Sequence, residues 1–169
     1  MKPPLLPAES FRRVMRVARF DGLSVLGVAG GFALISAASR DVSGAIVGLL
    51  VAAAGAIELH GVTLLRAGRG RGMGWLISSQ LYLMAILLAY SAVRLARPDI
   101  STIRAVVTSE LAEQIRQAGM SVDQFLLEFL RLVYLGVAAV TVLYQGAMTI
   151  YYVRRRATVA AALHEDELE

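Results

Sequence analysis

Cysteine is absent from the 169 residues, which removes disulfides, thiolate metal sites and cysteine nucleophiles and leaves the redox compartment unread. Lysine is nearly absent too. Lys2 is the only one among 17 basic residues, the rest being arginine, a bias that reads as the codon usage of a GC-rich, bacterial genome. Charge of either sign is scarce, at 18% of residues against 57% hydrophobic ones. An average soluble domain is about half apolar and about a quarter charged, so with a mean hydropathy of +0.61 this chain is excluded from ordinary water-soluble folds. With 2 histidines and few carboxylates, a metal or haem site within one chain is short of ligands; no cofactor and no metal are expected. Neither a nucleophile with a base beside it nor a pair of carboxylates can be assembled from the sequence pattern, and an enzyme is therefore not expected. No internal repeat is visible, which argues against an inverted-repeat transporter.

What the chain does have is apolar length. Four runs stand out, over residues 23–38, 42–65, 75–93 and 132–153. Each is near or above the roughly 17 to 20 residues that a helix needs to cross a bilayer. Hydrocarbon offers no partner to free backbone groups, and the runs lack the alternation of barrel strands, so the spans must be α-helical. The fold class is all-α, an integral membrane four-helix bundle forming one domain. Its spans fall at about 21–39, 42–65, 74–94 and 122–156, the last with its membrane part at 132–153, followed by a tail over 157–169. A competing reading takes the basic N-terminus and first run as a cleavable signal peptide, but its charged region is unusually long.

Arginine sets the orientation, because short cytoplasmic segments carry an excess of basic residues. Arg12, Arg13, Arg16 and Arg19 precede the first span, Arg66, Arg69 and Arg71 fill the second loop, and Arg154, Arg155 and Arg156 follow the last. Those three segments share one side. The first loop holds only Arg40 with Asp41, and the third balances Arg94, Arg97, Arg104 and Arg116 against Asp99, Glu110, Glu113 and Asp123. Both termini are thus expected in the cytoplasm, with the protein in a bacterial inner membrane. Phe20, Trp75, Tyr151 and Tyr152 fall at the cytoplasmic ends of their spans, as belt aromatics should. Because the arginines cluster at span ends, not along one polar face, nucleic-acid binding is not expected.

Two further helices are expected to lie on the membrane. After Pro7, Ser10 can cap a segment whose apolar face is Phe11, Val14, Met15 and Ala18; Arg12, Arg13, Arg16 and Arg19 occupy the remainder and suit anionic lipids of the inner leaflet. In the outer loop Ile103, Val106, Val107, Leu111 and Ile115 recur at helical spacing over about 101–118, and Gly119 can end that helix. Ser121 looks like the cap of the last helix, and the acidic stretch over 164–169 is expected to be disordered.

Glycine supplies packing motifs. Gly27 and Gly31 form one GxxxG, and Gly44 and Gly48, continued by Ala52 and Gly55, form a second. Such stripes let helices approach closely. They serve either the hairpin of the first two spans or self-association, and a homo-oligomer is expected.

Polar residues inside the spans are the sharper clue, since a charge in hydrocarbon costs several kcal/mol unless it is paired, neutralised or hydrated. Glu58 reads as the only carboxylate well inside a span and shares the face of Gly44, Gly48 and Gly55. His60, about 200° around the helix from it, cannot join it. Gln80 and Gln145 lie at the same depth, and Thr141 and Gln145 belong to a polar stripe that also includes Tyr134, Thr149 and Tyr152 on the last helix. Glu58, Gln80, Thr141 and Gln145 are therefore the candidate intramembrane site, with His60, Tyr82 and Tyr144 as secondary candidates. Interhelical hydrogen bonding is the plainer use of such residues, at about 0.6 to 2 kcal/mol each. The functional reading is a small oligomeric channel or transporter subunit for an ion or small polar solute; the alternative is a non-transporting scaffold or accessory subunit that acts through helix contacts. Ser78 and Ser79 carry no such weight, because serine in a membrane helix usually bonds back to its own backbone.

Overall fold

The structure, a computed structural model, describes residues 6–165. They form α1 (Pro7–Ala38), α2 (Val42–Arg66), α3 (Gly72–Ala96), α4 (Ser101–Arg104), α5 (Ser109–Gln117) and α6 (Val122–Glu165). The helices α1, α2, α3 and α6 are long and apolar enough to cross a membrane. None has proline in its interior. Pro7 opens α1, where its missing N–H is harmless, and Pro98 falls in the connection after α3. The chain divides into two compact units, residues 1–86 with 143–169 and residues 87–142, whose boundaries fall within α3 and α6.

In the first unit, α1 differs from expectation. The basic segment and the first span are one helix of 32 residues, N-capped by Leu6 without a side-chain bond. Ser10 lies inside it and accepts a hydrogen bond from Arg155, 3.2 Å away, so it is not the cap. The separate surface helix is corrected for two reasons. No glycine or proline interrupts residues 8–21, and the face meant for lipid is covered by protein: Val14 and Ala18 are fully buried among Val62, Leu65, Met73, Leu76, Tyr152, Val159 and Leu163. That same cluster explains why α6 runs on past Arg154–Arg156 for 44 residues in all. At 1.5 Å per residue it measures about 66 Å, far beyond the roughly 30 Å of hydrocarbon. Its final turns are instead held by Val159, Ala162 and Leu163. The expected disordered tail is helical through Glu165; the remainder of it lies outside the described residues.

An antiparallel hairpin joins α1 to α2. Its turn places Arg40 at φ 60°, and Asp41 caps α2 by accepting from the Gly44 amide at 3.0 Å. A Cβ on Gly48 would come within 2.8 Å of Ala33, and one on Gly55 within 2.6 Å of the Gly22 carbonyl oxygen. The backbones touch there. On α1 the contact face is Gly22, Leu26, Ala29, Ala33 and Ser36, at spacings of three and four. Gly27 and Gly31 lie on another side of the helix, where an added Cβ would meet nothing within 4 Å. A second close crossing brings Gly61 of α2 against Gly72 of α3.

The second unit contains the end of α3, α4, α5 and the start of α6. Its outer segment is two pieces instead of one helix over 101–118. Asp99 accepts from the Ser101 hydroxyl and amide, which hold its carboxyl below the usual carboxylate range. Thr108 then opens α5 afresh by accepting from the Leu111 amide at 3.3 Å. Of the expected apolar face Ile115 is buried, whereas Val106 and Leu111 are exposed. Gly119 ends α5 with φ 79°, and Ser121 caps α6 by accepting from the Gln124 amide. Tyr90 and Tyr134 meet edge to face at 5.9 Å, and Arg104 pairs with Asp123 at 3.0 Å.

Candidate functional site

Two carboxyls are buried together in the first unit. Glu58 on α2 is 2% exposed and Asp21 on α1 is 8% exposed. Both are carried inward by the small-residue crossing, since Gly22 is the neighbour of Asp21 and Gly55 lies one turn before Glu58. The Tyr152 hydroxyl, on α6, donates to Glu58 Oε1 at 2.7 Å. Asp21 Oδ1 accepts from the Tyr144 hydroxyl at 2.9 Å, and its Oδ2 accepts from Gln80 Nε2, on α3, at 3.1 Å. Asp21 and Gln80 both adjoin the Glu58 carboxyl. Four helices thus converge on one polar cluster, which Tyr152 joins to the apolar cluster of Val14, Val62 and Met73.

The donors to these carboxyls, Gln80, Tyr144 and Tyr152, are all neutral. Among the described residues no arginine or histidine bonds to either one. Buried acceptors remain: the side-chain carbonyl oxygens of Gln80 and Gln145 have no hydrogen-bond partner. Gln145 is seven residues before Tyr152 on α6 and shares its face. Such an arrangement of oxygens and phenols can hold a proton or a small cation between two carboxyls.

The expected site residues divide accordingly. Glu58 and Gln80 are brought together with the secondary candidate Tyr144, and Gln145 is buried on the stripe of Tyr152. Thr141 is buried but belongs to the second unit. His60 is turned away, edge-on to Trp75 at 5.1 Å, and Tyr82 is half-buried on α3. Ser79 bonds back to the Leu76 carbonyl oxygen at 2.8 Å.

The sequence reading lacked Asp21, and with it the pairing of carboxyls. Glu58 is not alone. Ending the basic segment at residue 20 placed Asp21 at a boundary, where an acid is unremarkable. Helical spacing was the available signal, because Asp21 continues the Val14 and Ala18 face by three residues. Tyr152 belongs by sequence both to the aromatic belt and to the polar stripe of α6, but it is not among the expected site residues, and its bond to Glu58 adds it to them. Compared with known protein families, with curated proteins and with solved structures, the chain finds no match.

Proposed function

We propose that this membrane protein takes up a proton or small cation at Asp21 and Glu58 and acts as a small channel or transporter subunit. The carrying observation is the burial of both carboxyls with only neutral donors, Tyr144, Tyr152 and Gln80. Two carboxylates without a cation between them are strongly unfavourable in a low-dielectric setting, and a proton or metal ion resolves that cost. The arginine pattern puts the cluster toward the cytoplasmic side, with both termini in the cytoplasm. Flux through reconstituted liposomes tests the reading. Wild-type protein should carry a proton or alkali-cation flux above empty vesicles, and Asp21→Asn or Glu58→Gln should abolish it while the elution profile in detergent stays unchanged. Wild-type vesicles that carry no flux across pH, sodium and potassium gradients overturn it.

A second reading, a non-transporting accessory subunit, is favoured by the open side of α1. Gly27 and Gly31 offer a close approach that nothing among the described residues uses, and Val28 and Phe32 beside them are exposed. On that reading both carboxyl variants are silent.

A further inference from the structure

A groove of about 430 Å³ lies between α1 and α2 at their arginine-rich ends, lined by Met15, Arg16, Arg19, Phe20, Leu23 and Arg66. Arg16, Arg19, Phe20 and Leu23 follow one another at helical spacing and form one stripe of α1, while Arg66 reaches the same groove from the last turn of α2. Among the described residues no carboxylate lines it. Among the described residues none of the three guanidinium groups makes an ion pair or a side-chain hydrogen bond. Phe20 is 76% and Leu23 50% exposed. The groove is therefore graded along α1, cationic on the side of Arg16 and apolar on the side of Leu23, where the span continues toward residue 38.

From this we infer that the groove is a headgroup site for an anionic phospholipid, independent of the carboxyl cluster. Its phosphate is held between Arg16, Arg19 and Arg66, and its first acyl methylenes lie along Phe20 and Leu23. The guanidinium fork matches two phosphate oxygens at once, which favours arginine over a point charge. Convergence from two helices distinguishes the site from a basic surface that draws anionic lipid diffusely. The apolar half selects a lipid over a free anion, because inorganic phosphate leaves Phe20 and Leu23 in contact with water.

Native mass spectrometry of the full chain in neutral detergent tests this, with phosphatidylglycerol, phosphatidylcholine and inorganic phosphate offered separately and in competition. Phosphatidylglycerol should stay bound, phosphatidylcholine should not, and an equal concentration of inorganic phosphate should fail to displace the bound lipid. Arg19→Gln and Arg66→Gln should each weaken retention roughly fivefold, as expected for one basic contact to an anionic lipid. Arg154→Gln, an equal loss of charge away from the groove, should leave retention little changed. Equal losses for Arg154→Gln and Arg66→Gln would reduce the site to diffuse surface charge and overturn it. Equal retention of phosphatidylcholine, or displacement by inorganic phosphate, would overturn it as well.

Discussion

Tyr152 shows how one side chain serves two environments. Its ring is fully buried in the apolar cluster and its hydroxyl donates to Glu58. Tyr152→Phe keeps the ring and removes the donor, and a buried carboxyl left short of a partner costs about 1 to 3 kcal/mol. We expect a lower melting temperature in detergent for Tyr152→Phe but not for Tyr82→Phe, whose hydroxyl has no such buried acceptor among the described residues; equal melting of both variants contradicts the assigned bond. The carboxyl pair makes a second prediction at this scale. Groups that share a network are not additive, and coupling energies of about 0.5 to 3 kcal/mol are usual. Unfolding of Asp21→Asn, Glu58→Gln and the double variant should therefore be non-additive, whereas additive effects would mean that the two carboxyls do not sense each other. Of this site, Glu58, Gln80 and Gln145 were legible because polarity inside an apolar run is conspicuous. Asp21 was not, because an acid at the head of a span carries no such contrast.

Helices are set by small residues and by long apolar faces, and the two act at different places. Gly48 meets the Ala33 backbone, so Gly48→Ala overpacks the α1 and α2 crossing and should cost about 1 to 3 kcal/mol. Gly27→Ala meets open space and should be neutral or slightly stabilising, since alanine is favoured over glycine in helices by about 1 kcal/mol. Thermal melts of the two variants decide between the glycine stripes, and a Gly27→Ala variant as damaged as Gly48→Ala would place the contact on the wrong face. The C-terminal turns of α6 offer a parallel test. Truncation after Arg156 removes buried Val159, Ala162 and Leu163 and uncovers Val14 and Ala18. Burial of one such larger side chain contributes about 1.5 to 3 kcal/mol, so the shortened chain should melt well below the full one; an unchanged melt would show that these turns are dispensable. GxxxG motifs could be found by inspection, but which side of α1 faces α2 could not. The face of Gly22, Ala29 and Ala33 was hidden by the more conspicuous Gly27 and Gly31.

At the scale of the whole molecule the remaining prediction concerns orientation. If the arginine-rich ends face the cytoplasm, an impermeant thiol reagent applied to intact cells should label Ser109→Cys and leave Gly70→Cys untouched, and the native chain contributes no background because it has no cysteine. The reverse labelling pattern would invert the topology. By itself the amino-acid sequence determined the class of the fold, the four long apolar helices and the caps at Ser121 and Gly119, because hydropathy, span length and turn chemistry act locally along the chain. It also marked Glu58 as a residue that needs partners. Only the tertiary structure decided that α1 is continuous, that α6 ends as packed helix, and that Tyr152 and Asp21 supply those partners, with Tyr144 held in turn on Asp21. Those outcomes depend on contacts across 59 to 145 residues of sequence, for which no local pattern holds the information, since the rotation of each helix about its axis is settled only when its neighbours are in place.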